Sequence, residues 1–394
     1  MGREGVKRDG DRIVTNRLCA GAPERVTSAS FWTQLARPIV GLAPMDGVSD
    51  QPFRHISNKY GRPDVTYTEF TSVDELCRGR RHRLLRNFIY DASQRPIVAQ
   101  VYGRVPDHFR QAAVLVCALG FDGIDINMGC PAKSVANGGS GAGLIRTPAL
   151  AQAIVRATQT GVRQWCDGMK PEDCPDLHGS VLAEAVRRRA QLPPHIEQLR
   201  RPIPVSVKTR IGYDTDVAGV WIPTLLETAP AAIALHGRTL EQRYAGAADW
   251  DAIGHAASFA RGTTTLFLGN GDVSDRDDGD ARAAAYGLDG VLIGRAAMGD
   301  PFALLRAEDR PDLTGLPHGL WTVAVEHARV YAATFGHEER YHFDPIRKHL
   351  SSYWRKADRH VPRGRVMNAR TPDELASLVQ QKAVRKEPRI DARI

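Results

Sequence analysis

Short runs of β-branched residues alternate with helical patterns eight times along the chain, and this alternation constrains the fold more than any other feature. The predicted strands span residues 38–45, 65–70, 96–103, 123–128, 204–210, 232–238, 265–270 and 290–295. Between them, apolar residues recur at the spacing of an amphipathic helix. Strands that alternate with helices pair in parallel, and eight of them close a barrel. The sequence therefore predicts an α/β fold, a (β/α)8 TIM barrel.

The pattern changes after the eighth strand, where helical segments follow one another without strand signals. We predict a flexible leader over residues 1–30, the barrel over 31–310 and a smaller all-helical C-terminal domain over 311–394. The leader carries charge but lacks the apolar segment of a signal peptide. The interval between predicted strands four and five is too long for one crossover helix, which predicts an inserted segment at about 163–201.

The net charge of +8 is concentrated near the C-terminus. Residues 340–394 hold 14 Lys or Arg and 6 Asp or Glu, whereas the rest of the chain holds 39 of each. Such a local basic field attracts polyanions, most often nucleic acid, and a merely solubilising surface is the alternative. No run of 18 apolar residues is present to span a bilayer. We expect a cytoplasmic protein, monomeric and without a membrane partner.

The six cysteines are few and irregularly spaced for a chain of 394 residues. This usage predicts reduced thiols and not a disulfide framework. Cys166, Cys174 and His178 are close in sequence, but their spacing matches zinc-binding motifs poorly. No metal is expected.

The predicted strand ends carry polar side chains or glycines, and in a TIM barrel these ends meet at the catalytic mouth. For any one of these residues, a salt bridge between loops explains the pattern as well as a chemical role does. As a set they predict a binding site. The residues at the strand ends are Pro44, Met45, Asp46, Glu69, Gln100, Asn127, Cys130, Lys208, Arg210, His236, Arg238, Asn270, Gly271, Gly294 and Arg295.

Strands seven and eight end in the sequences GNGD and GR, at the place where many TIM barrels bind a phosphate through backbone amides. Arg295 can add a bidentate contact. Lys208 and His236 face the mouth from strands five and six, and a fixed cation stabilises a flavin ring that becomes anionic on reduction. Gln100 can hydrogen-bond the same edge. An inward ion pair of Lys208 is the alternative.

Cys130 lies between Gly129 and Pro131, directly after the fourth predicted strand. A thiol with an ordinary pKa of about 8.5 stays protonated at neutral pH and can donate a proton to carbon. A nucleophilic thiol is the alternative, although this segment contains no histidine to activate it. A lone cysteine in a barrel loop is more often inert than catalytic, but its place in the polar mouth favours a general acid.

Several motifs together resemble the tRNA-dihydrouridine synthases, in the order that the family has along the chain. The resemblance runs from about Pro38 to the end. The C-terminal stretch DPIRKHLSSYWRK looks most like the C branch of the bacterial enzymes, whose helical domain helps to seat the tRNA. The leader and the 163–201 insertion have no counterpart in the family pattern. The matching motifs are APMDGVSDQPFR, AQVYG, IDINMGCPAKSVANGGSGA, VKTRIGYD, LHGRTLEQRYAG, NGDV and IGRAAMGDP.

The resemblance implies a flavoenzyme that reduces a uridine in the D loop of tRNA to 5,6-dihydrouridine, with FMN as cofactor and NADPH as reductant. Hydride would pass from the reduced flavin to carbon 6 of uracil, and Cys130, the catalytic acid, would protonate carbon 5. Residues 311–394 would bind the tRNA. The implied substrate contacts are Asn127, Lys133 and Arg210. The implied FMN contacts are Pro44, Met45, Asp46, Gln100, Lys208, His236, Asn270, Gly271, Asp272, Gly294 and Arg295.

Two other functions remain open. The same barrel can support an FMN-dependent reductase of a free pyrimidine or enone, because a fold does not dictate its substrate; the basic tail argues against it. A non-catalytic tRNA-binding protein with a vestigial barrel is the third reading. Activity on free uridine that ignores salt would favour the reductase, and a colourless protein that cannot take up FMN would favour the binding protein.

Overall fold

The computed structural model describes residues 30–79, 82–197, 199–312, 319–338, 341–358 and 360–381. Nearly all of the predicted leader and the last residues of the basic tail lie outside these ranges. The strands are β1 (Ile39–Leu42), β2 (Val65–Tyr67), β3 (Thr71–Ser72), β4 (Ile97–Tyr102), β5 (Gly123–Met128), β6 (Val205–Arg210), β7 (Ala232–His236), β8 (Leu266–Asn270) and β9 (Gly290–Ile293).

The strands form one closed parallel sheet. β1 pairs with β2 on one side and with β9 on the other, and from β4 to β9 each strand pairs with the next. β2 and β3 both pair with β4, so these two short strands together occupy one of eight positions around the barrel. The predicted (β/α)8 TIM barrel is confirmed. Each predicted strand contains an observed one, and the short strand β3 follows directly after the bounds predicted for the second strand.

The barrel strands are buried on both faces, as expected for a parallel sheet, and the polar residues that they carry, such as Gln100, Asp125 and Asn127, are buried with them. A cluster inside the barrel includes Tyr67, Val98 and Leu268. Phe31 and Trp32 stack with ring centroids 4.6 Å apart and join this cluster near the start of the strands. The interior below the mouth is therefore filled by side chains, and the open space lies at the C-terminal ends of the strands.

Helices follow the strands in the order that the sequence predicts. They are α1 (Gln51–Gly61), α2 (Val73–Arg78), α3 (Pro106–Ala118), α4 (Lys133–Ala136), α5 (Pro148–Cys166), α6 (Gly179–Arg189), α7 (Pro194–Glu197), α8 (Ala218–Leu226), α9 (Trp250–Ser258), α10 (Arg276–Tyr286), α11 (Leu320–Phe335), α12 (Arg347–Lys356), α13 (Arg363–Asn368) and α14 (Pro372–Gln380). Helices α6 and α7 lie within the predicted insertion. None of the helices in the described ranges combines the length and apolarity needed to cross a membrane.

The C-terminal helices α11 to α14 share a hydrophobic cluster that includes Trp321, Leu350 and Leu375. The same cluster contains Ile56 from α1, so these helices rest directly on the first barrel helix. In the described residues from 319 onward, every regular element is helical. The predicted helical C-terminal region is confirmed, and its packing on α1 brings it beside the barrel mouth.

Candidate functional site

A cavity of about 810 Å³ opens over the C-terminal ends of the barrel strands. This volume is typical of sites for cofactors and small molecules. Glu69 and Arg238 of the strand-end set are not among its lining residues, but fourteen of the fifteen residues to which the family resemblance assigned a catalytic, cofactor or substrate role line it. The remaining one, Lys133, begins α4, and its side chain lies outside what the structure describes. The lining residues that the sequence predicted are Pro44, Met45, Asp46, Gln100, Asn127, Cys130, Lys208, Arg210, His236, Asn270, Gly271, Asp272, Gly294 and Arg295.

A chain of hydrogen bonds fixes the polar floor of the cavity. Nε2 of Gln100 donates to Oδ2 of Asp125 at 2.7 Å, and Nδ2 of Asn127 donates to Oε1 of Gln100 at 3.0 Å. Asp125 also accepts from the Ser206 hydroxyl at 2.7 Å. Burial raises the pKa of Asp125 to about 6, while these hydrogen bonds act against the shift. Both ends of the Gln100 amide are held, so its orientation toward the cavity is set before any ligand arrives.

The loop that carries Cys130 is held from two sides. Oδ1 of Asn127 accepts from the backbone N–H groups of Gly129 and Cys130, at 3.0 and 2.8 Å. Nε of Arg210 donates to the carbonyl of Gly129 at 2.7 Å. The Cys130 residue is only 8% exposed, and burial raises the pKa of its thiol. A nucleophilic thiolate requires the opposite shift, so this environment favours a protonated, proton-donating thiol.

Lys208 projects its ammonium group from β6 into the cavity wall. Its Nζ donates to Oδ1 of Asn270 at 2.9 Å, and Nδ2 of Asn270 donates in turn to the Leu292 carbonyl at 2.8 Å. Burial and the neighbouring charge of Arg210 lower the pKa of Lys208 to about 8. Because its hydrogen bond goes to a neutral amide and not to a carboxylate, the charge of Lys208 is available to an anionic ligand at neutral pH.

His236 stands beside this cation at the end of β7 and is uncharged. Burial, with the charges of Arg210 and Lys208, holds the pKa of His236 well below its usual value. A neutral imidazole offers one donor and one acceptor. In this wall, Lys208 supplies charge and His236 supplies hydrogen bonding.

The rim after β8 requires a glycine. Gly271 has a φ of 125°, and a Cβ placed there would lie 2.6 Å from the Cβ of Ala248. The next residue, Asp272, accepts from Nη2 of Arg238 at 2.6 Å and from Nη2 of Arg295 at 2.7 Å. Burial favours a higher pKa for Asp272, but these hydrogen bonds hold it below the usual value. Two guanidinium groups therefore balance the negative charge of the Asp272 carboxylate, and the carboxylate holds both of them at the rim.

Comparison with known proteins decides the family. The sequence model of the dihydrouridine synthase (Dus) family matches residues 41–165 and 179–387. The chain belongs to the dihydrouridine synthase family. This is a family of flavin-dependent oxidoreductases, and the chain is an enzyme of that class. Between the two matched segments, only residues 166–178 of this family member are unmatched. The family model matches the rest of the predicted insertion, so the prediction that residues 163–201 as a whole have no counterpart in the family is wrong.

Named relatives agree with this membership. "Probable tRNA-dihydrouridine synthase 2" of Bacillus subtilis (strain 168) is 34% identical over 278 residues, which is 70% of this chain and 73% of the relative. "Probable tRNA-dihydrouridine synthase" of Staphylococcus epidermidis (strain ATCC 35984) is 32% identical over 337 residues, 83% of this chain and 87% of the relative. These names do not say to which branch of the dihydrouridine synthase family the relatives belong. The resemblance to the C branch therefore stays a prediction.

A solved structure, DHODH from Eimeria tenella in complex with ferulenol, aligns at 12% identity over 69% of this chain and 80% of its own, with a TM-score of 0.44. That likeness is too distant to inform the chemistry of this dihydrouridine synthase family member.

Several cavity residues were missed by the sequence analysis. Tyr244 is 62% exposed, and the Arg295 guanidinium carbon lies 5.0 Å from its ring centroid. Tyr244 follows β7 in the LHGRTLEQRYAG motif, which marked the loop as part of the dihydrouridine synthase pattern but did not show which side chain points to the mouth. The other lining residues not predicted include Phe70, Arg243, Val273 and Met298.

Proposed function

We propose that this protein reduces a uridine in the D loop of tRNA to 5,6-dihydrouridine, with FMN as its cofactor and NADPH as the reductant. One observation carries the proposal: a member of the dihydrouridine synthase family has a buried thiol whose pKa is raised, a fixed ammonium group and a glycine rim around one cavity. The names of its relatives, which refer to tRNA, support the substrate.

The cavity fits a flavin mononucleotide in volume and in chemistry. Bound FMN supplies the hydride that reaches carbon 6 of the base. Gln100, Lys208 and His236 would hold the polar edge of its ring, since they offer an oriented amide, a cation and a neutral imidazole along one wall. Pro44, Met45 and Asp46 would line the ring.

The phosphate would bind at the rim formed after β8 and β9. Asn270, Gly271, Asp272, Gly294 and Arg295 all line this part of the cavity. The Arg295 side chain is 54% exposed and can turn toward an anion while Asp272 stays paired with the buried Arg238. Because the Asp272 carboxylate would repel a phosphate, Asp272 would contribute its backbone N–H and the position that it gives Arg295.

Cys130 would protonate carbon 5 of the reduced base. Its loop is fixed by Asn127 and Arg210, so the thiol keeps one position relative to the wall that carries Lys208. One hydrogen of the Asn127 amide is used by Gln100, and the other can contact the base. Arg210 would assist next to the same loop, and Lys133 stays a predicted substrate contact.

The C-terminal region would grip the tRNA. Arg363, Arg365 and Arg370 are exposed on and after α13. Lys348 of α12 is close enough to the mouth for its charge to oppose the rise that burial causes in the pKa of Asp46. A stacked base must leave its stack to reach the cavity, at a cost of a few kcal/mol, and contacts between basic side chains and phosphates would offset this cost.

The test uses the purified full-length protein and tRNA from cells that lack it. We expect a yellow protein that releases FMN on denaturation and that converts a D-loop uridine to dihydrouridine with NADPH, detected by mass spectrometry and mapped by sequencing. Activity should fall with added salt. Equal turnover of free uridine, insensitive to salt, would instead support a small-molecule reductase, and a protein that cannot take up FMN would contradict the flavoenzyme proposal.

A further inference from the structure

Two buried histidines meet where the C-terminal helices pack on α1. His327 in α11 and His349 in α12 are 0% and 1% exposed, and their ring centroids lie 4.6 Å apart. Asp50, the N-cap residue of α1, faces the same point. One potential ligand atom from each of the three side chains lies within 4.8 Å of the other two. Three elements, one from the barrel and two from the helical region, therefore converge on one small polar site.

The histidine rings lack the hydrogen bonds that buried polar groups normally have. Among the described residues, neither ring nitrogen of His349 has a partner, and Nε2 of His327 has none. Nδ1 of His327 faces the Tyr353 hydroxyl at 3.3 Å, which leaves Nε2 as the free atom. Buried side-chain donors and acceptors in native proteins are nearly always satisfied. A bound species from outside the chain would satisfy these nitrogens.

We propose that Asp50, His327 and His349 bind one divalent transition-metal ion, of which zinc is the type, and that this ion fastens the C-terminal helices to the barrel. Imidazole nitrogen and carboxylate oxygen are established zinc ligands, with bonds of about 2.0–2.2 Å. Water would take the fourth position, from the side where Asp50 is partly exposed. The contact of Tyr353 with the other nitrogen of His327 is the kind of support that orients metal-binding histidines.

The protonation states of the three groups suit a metal ion. Burial lowers the pKa of His327 to about 3 and that of His349 well below its usual value, so both rings are neutral at physiological pH. Neutral imidazole is the form that binds metal. Burial raises the pKa of Asp50, and nearby cations oppose this rise and favour its ionised form. The same cations repel a metal, so we expect moderate affinity; they are Arg54, Arg86 and Lys348.

The geometry requires only a small contraction. Donor atoms in a tetrahedral zinc site with such bonds are roughly 3.4 Å apart, and the three atoms are already within 4.8 Å of one another. The His349 ring stacks on Phe53, with centroids 5.2 Å apart, which holds the ring beside the start of α1. Small side-chain rotations would bring the three atoms to this separation.

Zinc itself is the probe for the first experiment, on the full-length protein stripped with a chelator. We expect one zinc per chain by elemental analysis and a rise of several degrees in Tm on adding zinc. Asp50→Asn keeps the cap on α1, because Asn caps helices as well as Asp, but it removes the anionic ligand. This variant should bind zinc at least tenfold more weakly and lose most of the rise in Tm.

Asp249→Asn is the matched control. Asp249 caps α9 in the same way, accepting from the backbone N–H of Ala252 at 2.8 Å, and the substitution leaves the three proposed ligands in place. Its zinc response should equal that of the unchanged protein. If zinc raises the Tm of Asp50→Asn as much as that of the unchanged protein, or if the unchanged protein takes up no zinc, the proposal is wrong.

Cobalt(II) distinguishes this site from the thiols of the chain. The proposed ligands predict visible d–d absorption without a thiolate-to-cobalt charge-transfer band, and loss of that absorption in His349→Gln. A strong thiolate band at one equivalent would place the metal on a cysteine and overturn the proposal. If His349→Gln does not fold by circular dichroism, the spectrum of Asp50→Asn decides. None of these measurements depends on activity toward tRNA, so failure here leaves the proposed function untouched.

Discussion

Cys130 is the residue whose loss should separate binding from chemistry. In Cys130→Ala, the loop contacts made by Asn127 and Arg210 remain, because they involve the backbone of the loop. We expect flavin content and tRNA affinity to be unchanged and turnover to fall by about 10²- to 10⁴-fold, the usual contribution of a positioned proton donor. Single-turnover formation of dihydrouridine measures the chemical step directly.

Cys77→Ala provides the control, because Cys77 is also a buried thiol but does not line the cavity. Equal turnover in the two variants would remove the acid assignment. The pH profile gives a second measure. Burial raises the pKa of the Cys130 thiol, so its proton-donating form is lost only as pH rises above the ordinary thiol value of about 8.5.

Lys208 is the residue that should raise the midpoint potential of the bound flavin. Its charge lies in the cavity wall, where the Nζ atom donates to the Asn270 amide oxygen and, among the described residues, forms no ion pair. Lys208→Met removes a cation that would stabilise the reduced, anionic ring, so the midpoint potential should fall by tens of millivolts; about 30 mV corresponds to 1.4 kcal/mol for a two-electron couple. Spectroelectrochemical titration measures the potential. Lys170→Met, an exposed position outside the cavity, should leave it unchanged, and an unaltered potential in Lys208→Met would contradict the assigned role.

At the scale of single elements, the close contact between α3 and α5 depends on Gly161. A Cβ at this position would lie 2.0 Å from the Arg110 carbonyl oxygen and 2.9 Å from the Cβ of Ala113. Ala normally favours a helix over Gly by about 0.5–1 kcal/mol, but here the added atom would force the two helices apart. We expect Gly161→Ala to lower the free energy of unfolding by about 1–3 kcal/mol, measured by urea denaturation.

Gly364→Ala is the matched substitution in a helix with open space. Nothing lies within 4 Å of a Cβ at Gly364 in α13. The same change should therefore stabilise the protein by about 0.4–1 kcal/mol. If both variants shift stability in the same direction, the packing explanation for Gly161 is wrong.

The barrel elements were predictable because each one has a local signal. Strands such as β5, with the sequence GIDINM, alternate apolar and polar residues between turn residues, and a period of two or 3.6 residues can be recognised without knowledge of distant parts of the chain. The split of the second barrel position into β2 and β3 was not predictable, because both pieces are defined only by pairing with β4. The ends of the predicted strands also identified most of the residues that line the cavity.

The site residues that the sequence missed depend on tertiary structure. Tyr244 reaches the mouth from an irregular loop, where no periodicity indicates the direction of a side chain. Asp50, His327 and His349 are brought together by the packing of α11 and α12 on α1 and share no spacing motif. The prediction that no metal is bound was based only on the spacing of two cysteines and a histidine that are close in sequence. It therefore did not include these three residues.

At the scale of the whole molecule, there is a division between the barrel, which contains the cavity, and the helical region, which carries the excess positive charge. The acidic and basic residues of the chain balance before residue 340, and the positive excess lies beyond it. The helical region rests on α1, whose N-terminus borders the mouth, and the ion pair of Lys59 with Glu326 at 2.6 Å crosses the same interface. A polyanion bound by these helices would therefore lie beside the cavity, and under the proposed function its binding energy would help the target base to leave its stack.

The exposed arginines of α13 give the test of this division. Replacing both Arg363 and Arg365 with Gln removes two charges from the helical region without touching its buried cluster. We expect tRNA binding to weaken, and the slope of log affinity against log salt to become shallower by about 0.7–0.9 for each phosphate that the protein no longer neutralises. Filter binding across a salt series measures both.

The double substitution Arg156→Gln and Arg163→Gln is the matched control, because it removes equal charge from exposed positions on α5, outside the helical region. This control should change the slope little, because only charges that neutralise phosphates release counterions. If the two pairs of substitutions have equal effects, net charge, and not the placement of the helical region, governs the binding of tRNA.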